Sequence, residues 1–237
     1  MRTLWTFGDS YTADYFIPHQ GQYPDKNNYE KYMDWRGGTL PKVWPTLLSE
    51  KLNVNLKNLG IGGSSNYTIF NKFIESLYNI NENDVLIFGW TNILRYQAAN
   101  EVLNKIVDII PNGEKLNFSQ ITLDEMLYNR SQPSWIKEVH SWIRLINDWC
   151  KLKNVKVFHW NADPCLFLDI NEDNLIMAKS PHIDLCGYAN SGEHYEGGVT
   201  IGTIYHETNG IVEDGHHGEY GHKMMCDIIY NEIKDLI

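Results

Sequence analysis

The sequence predicts an α/β fold, with a central and mostly parallel sheet between two layers of helices. Short apolar runs alternate with stretches of helical periodicity, an order typical of parallel strands joined by helices. A polar or glycine-rich motif begins where three of the four apolar runs end, as expected at the carboxyl edge of such a sheet. At 237 residues and 43% hydrophobic content the chain can bury one full core, so we predict a single domain over residues 1–237.

The apolar runs are short and are predicted as strands. They cover Leu4 to Phe7, Val54 to Leu59, Asp84 to Phe88 and Val155 to Trp160. In open parallel sheets, ligands bind in the crevice at the carboxyl ends of the strands. We therefore expect the motifs that follow these strands to lie close together.

Helices are predicted where apolar side chains recur every three or four residues. They cover Asn66 to Ile80, Ser134 to Lys153 and Tyr220 to Leu236. The second helix follows Pro133 and begins at a serine that suits an N-cap. We interpret the aromatic and methionine side chains of these stripes as core.

Two long stretches, residues 14–39 and 162–213, fit neither pattern. The first is rich in Tyr, Pro, Gly and Asp, and the second mixes polar residues with glycine and histidine. Loops of this length are uncommon unless they are functional or disordered. Because both flank the motifs described below, we interpret them as walls of a substrate cleft. The alternative is a surface loop without contact to the substrate.

Composition excludes several classes of partner. The net charge is −10 without a basic cluster, so neither nucleic acid nor an anionic membrane is an expected partner. The four cysteines form no Cys-x-x-Cys pair, which argues against a thiol redox site or a zinc site and favours buried free thiols. No leader pattern precedes the first strand, and no apolar stretch approaches the roughly 18 residues of a membrane span. We expect a cytoplasmic protein without a metal or other cofactor, although release by cell lysis would leave the same pattern.

A serine on the turn that leaves the first strand is placed like a nucleophile. Ser10 lies in the segment Gly8-Asp9-Ser10-Tyr11. A serine hydroxyl keeps its proton at neutral pH and needs a neighbouring base. Candidates for this base occur near the other end of the chain, in Asp214-Gly215-His216-His217. Together these residues indicate a serine hydrolase whose site is formed by both ends of one domain.

Four segments of the chain resemble, in order, the motif blocks of the SGNH (GDSL-type) hydrolase family. They are Gly8-Asp9-Ser10-Tyr11, residues 58–65, Trp90-Thr91-Asn92, and Asp214-Gly215-His216 with the trailing Gly221-His222. The joint pattern spans nearly the whole chain and is more specific than any single block. The resemblance implies a flavodoxin-like three-layer α/β/α sandwich and an esterase or lipase activity on carboxylic esters.

The resemblance also implies roles for individual residues. Ser10 is the nucleophile, His216 the general base and Asp214 the acid that orients it. The oxyanion hole is formed by the backbone N–H groups of Ser10 and Gly63 and by the side-chain amide of Asn92. Such donors suit the task, because glycine allows close approach of the backbone and an asparagine amide can donate two hydrogen bonds.

The last block leaves two assignments open. Asp214 precedes His216 by two positions, whereas the family pattern has three, and His217 falls at the usual spacing. His216 keeps the register with the trailing Gly221-His222, so we favour it as the base and keep His217 as the substitute. Glu213 is a second candidate for the acid, because it also lies close to the base.

Two further residues of the blocks are candidate members of the site. Trp90 stands where the family has a glycine, so a bulky side chain is expected in the wall near Asn92. Asp9 belongs to the first block and precedes the nucleophile. His222 is interpreted as a structural residue near the start of the last helix.

Two other classes of function compete with the serine enzyme. A metal-dependent hydrolase would use the cluster of Asp214, His216 and His217, since catalytic zinc commonly takes three such ligands, but it leaves Ser10 without a role. A catalytically weak glycan-binding module would use the eight Trp and fourteen Tyr residues for stacking on sugar rings.

The substrate class follows from the long stretches and from the resemblance. The family includes lipases, thioesterases, acyl esterases and carbohydrate O-acetyl esterases. The two stretches are polar and contain seven tyrosines, and the chain has no long apolar lid. These features favour a small acyl group such as acetyl on a hydrophilic or carbohydrate carrier.

Overall fold

The computed structural model describes residues 2–17, 26–35, 38–91, 95–100, 105–109, 132–161, 174–175 and 219–237. The strands are Thr3–Phe7 (β1), Asn55–Asn58 (β2), Val85–Trp90 (β3), Tyr96–Asn100 (β4), Lys105–Ile109 (β5) and Lys156–Asn161 (β6). The helices are Lys26–Trp35 (α1), Trp44–Leu52 (α2), Asn66–Ser76 (α3), Gln132–Leu152 (α4) and Glu219–Ile233 (α5).

The central sheet has the order β2-β1-β3-β6, and its strands are all parallel. Without the β4–β5 hairpin, β6 counts as the fourth strand along the chain. The strand order is then 2-1-3-4, as in flavodoxin-like folds. Its four strands are the four predicted from the sequence, with bounds that differ by a few residues. The predicted fold class is therefore confirmed.

Apolar side chains cover both faces of this sheet, because the side chains of a strand alternate between faces. On one face Leu4, Ile87 and Trp160 pack with residues of α2 and α5. On the other face Phe7 and Phe88 pack with residues of α3 and α4. The sheet thus lies between two helical layers, which makes a three-layer sandwich.

The three predicted helices are present as α3, α4 and α5, with shifted ends. Helix α3 begins where Ser65 acts as the N-cap and accepts a hydrogen bond from the Thr68 N–H. It ends at Ser76, before the predicted Ile80, because the Leu77 N–H already turns to the Ile74 carbonyl. Within the described ranges, no helix is long and apolar enough to cross a membrane.

The prediction of a loop over residues 14–39 is wrong for its second half, which contains α1. This helix is mostly polar (KNNYEKYMDW), so few apolar side chains mark it in the sequence. Its buried contact is Tyr32, which stacks on Tyr15 with ring centroids 6.0 Å apart and packs in a small cluster with Val43. Of residues 162–213 the structure describes 174–175, so the interpretation of that stretch as a cleft wall stays a prediction.

Helix α2 and the antiparallel β4–β5 hairpin were not predicted. Helix α2 carries a proline in its first turn and ends at Asn53, which adopts a left-handed conformation with φ 53°. Both are ordinary helix boundary signals. The prediction of one domain over residues 1–237 stays a prediction.

Two of the four cysteines can be assessed. Cys150 and Cys226 are buried free thiols, as expected from their spacing. Burial raises the pKa of Cys150 to about 12 and that of Cys226 to about 11. Cys165 and Cys186 lie outside the described residues.

Candidate active site

Ser10 lies on a single helical turn directly after β1, the strand that pairs with both β2 and β3. The Asp9 carbonyl accepts hydrogen bonds from the N–H groups of Thr12 and Ala13, at 3.0 and 2.9 Å. The Asp9 carboxylate accepts the Tyr11 N–H at 3.0 Å, as an N-cap side chain does. At the start of such a turn the Ser10 N–H has no carbonyl partner within the turn, so it is available to a negatively charged ligand atom.

The second motif is tied to this turn by Asn58, at the end of β2. Its side-chain oxygen accepts hydrogen bonds from Thr6 Oγ1 at 3.0 Å and from the Gly60 N–H at 3.1 Å. Its amide donates to the Thr12 carbonyl at 2.8 Å. A Cβ atom on Gly60 would lie 2.5 Å from the backbone nitrogen of Ala13. Only glycine therefore allows the two turns to approach this closely.

Gly63 occupies the third position of a tight turn within the second motif. The Ser64 N–H donates to the Ile61 carbonyl at 3.2 Å, and Gly63 has φ 74°, as a type II turn requires at that position. The Ile61 N–H donates to the Gly8 carbonyl at 3.0 Å, and Ser64 Oγ donates to the same oxygen at 3.3 Å. The turn of Gly63 is thus held against the strand end that leads to Ser10.

The third motif contains Thr91, whose backbone is held by the side chain of Asn66. The Thr91 N–H donates to Asn66 Oδ1 at 2.8 Å, and Asn66 Nδ2 donates to the Thr91 carbonyl at 3.0 Å. Both residues are buried. This pair fixes the start of α3 against the end of β3, and the predicted site residue Asn92 follows directly in the sequence.

Asp9 joins the first and third motifs. Thr91 Oγ1 donates to Asp9 Oδ2 at 2.6 Å, and Arg95 Nη1 donates to the same oxygen at 2.8 Å. Asp9 is therefore a buried carboxylate that organises the turn of the nucleophile and does not face a substrate. Asn66, Thr91 and Arg95 were not identified as site residues from the sequence. The need for a cationic partner becomes visible only once Asp9 is known to be buried.

Trp90 does not line the site, contrary to the expectation of a bulky residue in its wall. The side chain is fully buried and stacks with Phe88 and His159 in the core beneath α3 and α4. Its indole N–H donates to His159 Nδ1 at 3.1 Å. Side chains alternate along β3, so the substituent at this position points into the core.

His159 is a buried neutral histidine. Because the Trp90 indole can only donate, Nδ1 of His159 carries no proton, and Nε2 donates to Asn147 Oδ1 at 2.9 Å. Desolvation lowers the pKa of this imidazole to about 3. Asn174 also donates to Asn147 Oδ1, at 2.8 Å, and its carbonyl accepts the His159 N–H at 3.0 Å. This network attaches the described part of residues 162–213 to β6.

His222 is the structural residue that the sequence predicted. It is buried in α5, its Nδ1 accepts the Trp44 N–H at 3.2 Å, and its Nε2 lies 3.1 Å from the Tyr15 hydroxyl. Since Nδ1 accepts, Nε2 carries the proton and donates to the phenol oxygen. These contacts anchor the first turns of α5 against the segment that follows Ser10.

The remaining predicted site residues, Asn92, Glu213, Asp214, His216 and His217, lie outside the described residues. Helix α5 begins at Glu219, two positions after His217. In the described part of the chain no group of three or more His, Cys, Asp or Glu side chains is arranged to hold a metal ion.

One further acidic residue lies near the first two motifs. Asp14 is hydrogen-bonded to the Asn58 side chain. Burial raises the pKa of this carboxyl, and the hydrogen bond to Asn58 acts in the opposite direction.

Comparisons with known proteins give structural likenesses alone. No family model matches the chain, and no curated protein matches it significantly. Among solved structures the chain is similar to the acetyl xylan esterase AlAXEase, with 13% identity, coverage of 99% of this chain and 100% of that chain, and a TM-score of 0.42. It is also similar to a lipolytic G-D-S-L family protein from Veillonella parvula DSM 2008, with 13% identity, coverage of 100% and 98%, and a TM-score of 0.40.

A third similar structure is a G-D-S-L family protein from Desulfitobacterium hafniense DCB-2, with 14% identity, coverage of 98% and 99%, and a TM-score of 0.32.

Proposed function

We propose that the protein is a serine hydrolase that cleaves a carboxylic ester through an acyl-enzyme on Ser10. One observation carries this proposal: the turn of Ser10 is the meeting point of the second and third motifs. The turn of Gly63 donates hydrogen bonds to the Gly8 carbonyl, and the Thr91 hydroxyl donates one to the Asp9 carboxylate. The second and third motifs, which are distant in sequence, therefore both contact the segment that carries Ser10 at the carboxyl edge of the sheet.

The proposed reaction begins with attack of Ser10 Oγ on the ester carbonyl. His216 accepts the hydroxyl proton and returns it to the leaving alcohol, while Asp214 orients the imidazole. Water then attacks the acyl-enzyme, and the same histidine again transfers the proton. His217 and Glu213 are the substitutes for the base and the acid.

The negative oxygen of the tetrahedral intermediate needs preorganised donors. The Ser10 N–H is suited to this task because it lies at the free start of a helical turn. The backbone N–H of Gly63 and the side-chain amide of Asn92 are the other proposed donors. Support comes from the rigid placement of their neighbours, since Ser64 and Thr91 are both tied to the segment that carries Ser10.

The position of the base has indirect support. His216 and His217 precede α5, and His222 in the second turn of α5 contacts Tyr15. Tyr15 lies five residues after Ser10 in the sequence. The helix that follows the proposed base in the sequence is therefore in contact with the segment that follows Ser10.

We propose a small acyl group, such as acetyl, on a hydrophilic or carbohydrate carrier as the substrate. This proposal is supported by the polar composition of residues 14–39 and 162–213, which together contain seven of the fourteen tyrosines. Comparing acetyl with long-chain acyl esters of one alcohol tests it. Much faster cleavage of the long-chain ester would contradict it.

Covalent labelling tests the catalytic proposal directly. A fluorophosphonate probe should attach to Ser10 and to no other serine, as mapped by mass spectrometry of the digested protein. Ser10→Ala should abolish both labelling and ester hydrolysis. Ser141→Ala is the matched control, because that hydroxyl is exposed on α4 and donates to the Lys137 carbonyl.

The same assay separates the competing functions. Hydrolysis that persists in chelator and disappears in Ser10→Ala supports the serine enzyme. Loss of hydrolysis in chelator supports the metal-dependent hydrolase, and absence of turnover in both proteins supports the glycan-binding module. Asn92→Ala should lower kcat by about 10²–10³ if its amide belongs to the oxyanion hole.

A further inference from the structure

Trp44, the first residue of α2, donates hydrogen bonds to two elements that are distant from it in sequence. Its indole N–H donates to the Tyr11 carbonyl at 2.9 Å, within the turn that carries Ser10. Its backbone N–H donates to Nδ1 of His222 in α5, at 3.2 Å. Trp44 thus connects the turn of the nucleophile to both helices that pack on this face of the sheet.

The Trp44 side chain has a fixed position in the core. It is fully buried and packs edge to face against Trp160 of β6, with ring centroids 6.2 Å apart and an interplanar angle of 80°. The backbone N–H of a first helical residue has no carbonyl partner within its own helix, and the N-cap residue Val43 has no polar side-chain atom to accept it. The imidazole of His222 accepts it instead. Both the ring and the backbone of Trp44 are therefore held, and the indole is a preorganised donor.

Hydrogen bonds from β2, β3 and α2 hold the turn of Ser10 against the rest of the fold. Asn58 donates to the Thr12 carbonyl, Thr91 to the Asp9 carboxylate and Trp44 to the Tyr11 carbonyl, at 2.8, 2.6 and 2.9 Å. The first two bonds come from the strands on either side of β1, whereas the third comes from the helical layer. The bond from Trp44 therefore ties the turn to the layer of α2 and α5.

The bond to Tyr11 acts one residue away from the nucleophile. Ser10 and Tyr11 share one peptide unit, which is planar, and the Tyr11 N–H of that unit donates to the Asp9 carboxylate at 3.0 Å. The Tyr11 carbonyl belongs to the next unit and accepts the indole N–H. A shift of the Tyr11 backbone therefore moves the Ser10 Cα, and with it the Ser10 N–H and Oγ.

We infer that Trp44 is a positioning residue that acts on Ser10 through the Tyr11 carbonyl. Its indole N–H holds the turn so that the Ser10 hydroxyl and N–H keep one geometry towards the ester. This inference rests on the proposed function. A misplacement of about 1 Å can cost on the order of 10²-fold in rate, so loss of the donor lowers kcat and leaves substrate binding largely intact.

Trp44→Phe tests the role of the donor. The substitution removes the indole N–H and keeps an aromatic ring against Trp160. It should lower kcat about tenfold and change KM by no more than about twofold. Wild-type kcat in this variant would overturn the proposal.

Trp5→Phe is the matched control. Trp5 is also buried, and its indole N–H donates to Asp84 at 3.0 Å, before β3 and thus at the opposite edge of the sheet from Ser10. This variant loses the same kind of buried hydrogen bond and should keep wild-type kcat. An equal fall of kcat in Trp5→Phe and Trp44→Phe would show a general structural role and overturn the proposal.

An isostere of tryptophan separates the N–H group from the volume of the ring. Benzothienylalanine at position 44 keeps the shape of the indole and has sulfur in place of the N–H group. It preserves the packing against Trp160, so it also serves as the test if Trp44→Phe does not fold. A fall of kcat of about tenfold supports the role of the donor. Wild-type kcat would show that the volume alone matters and would overturn the proposal.

Hydrogen exchange tests the anchor without any turnover. The N–H groups of Thr12 and Ala13 donate to the Asp9 carbonyl at 3.0 and 2.9 Å, so their exchange reports the opening of the turn. Both should exchange about tenfold faster in the two proteins altered at Trp44 than in wild type, because the turn opens locally. Trp5→Phe should keep the wild-type rate at these two amides. Unchanged exchange in the proteins altered at Trp44 would overturn the proposal.

The two proposals can fail separately. Wild-type protein that neither hydrolyses esters nor is labelled at Ser10 would refute the serine enzyme, and the exchange experiment would still decide whether Trp44 holds the turn. Active enzyme whose kcat does not respond to loss of the indole N–H would refute the positioning role alone.

Discussion

Acidification should destabilise the protein through His159, because its neutral form is built into the core. The imidazole is fully buried. Nδ1 accepts the Trp90 indole N–H and Nε2 donates to Asn147, at 3.1 and 2.9 Å. A second proton on Nδ1 would face an N–H donor that cannot accept it. Burial accordingly lowers the pKa from 6.5 to about 3.

The sign and size of the effect follow from proton linkage. Between the two pKa values the unfolded chain binds a proton that the folded protein does not bind, so the free energy of unfolding falls as pH falls. The contribution of neutral His159 to the free energy of unfolding is fully present above pH 6.5 and is lost progressively towards about pH 3. Each pH unit in this window costs about 1.4 kcal/mol, which amounts to about 3 kcal/mol between pH 6.5 and 4.5.

Urea unfolding of wild type and His159→Gln measures this contribution. Glutamine offers an oxygen to the indole of Trp90 and an amide to Asn147 but does not titrate. Other titrating groups occur in both proteins and cancel in the difference. The stability advantage of wild type over the variant should therefore shrink by about 3 kcal/mol from pH 7 to 4.5.

A constant difference across this range would refute the reasoning. An independent check is the NMR titration of the His159 ring. Its shifts should stay at the neutral values down to about pH 4, whereas a solvated histidine titrates near 6.5.

Three further predictions concern packing, buried polar groups and thiols. Gly60→Ala should destabilise the protein by about 1–3 kcal/mol, because the new methyl group would meet the Ala13 backbone at 2.5 Å; thermal unfolding that matches wild type would show that the turns can separate freely. Asp84→Ala should lower the free energy of unfolding by about 3 kcal/mol, since this buried carboxylate accepts three hydrogen bonds. Asp84→Asn should lower it by less. Burial raises the pKa of Cys150 to about 12 and that of Cys226 to about 11. Both thiols should therefore react with iodoacetamide only after the protein is unfolded in urea. Rapid labelling of either thiol in the native protein would contradict their burial.

The central sheet was predictable because its signals are local. Strands β1, β3 and β6 are short apolar runs, β2 (NLKN) lies within the weaker run Val54 to Leu59, and the helices α3, α4 and α5 carry apolar side chains at helical spacing. Helix α1 escaped prediction because most of its residues are polar, so few apolar side chains mark it as a helix in the sequence. Helix α2 was detectable from its boundary residues, Pro45 and Asn53, rather than from periodicity.

The contacts that assemble the site were predictable only in part. The motif residues themselves are recognisable, since glycine and asparagine occur where strands end. The partners of Asp9 are not, because Thr91 and Arg95 lie more than 80 positions away and no local pattern links them to it. Long-range hydrogen bonds between side chains, such as these, depend on the register of β1 and β3. The sequence alone does not determine that register.

Trp90 shows how the register of a strand settles a question that a motif comparison raises. Taken as a motif residue, it replaces a glycine next to Asn92 and suggests an obstructed site. Taken as a strand residue, it shares a face with Leu86 and Phe88 and packs with them in one core cluster. Gly89 and Thr91 have the opposite parity, and Thr91 is the residue whose side chain reaches Asp9. A large side chain at position 90 therefore adds to the core beneath α3 and α4 and takes no space from the turn that carries Ser10.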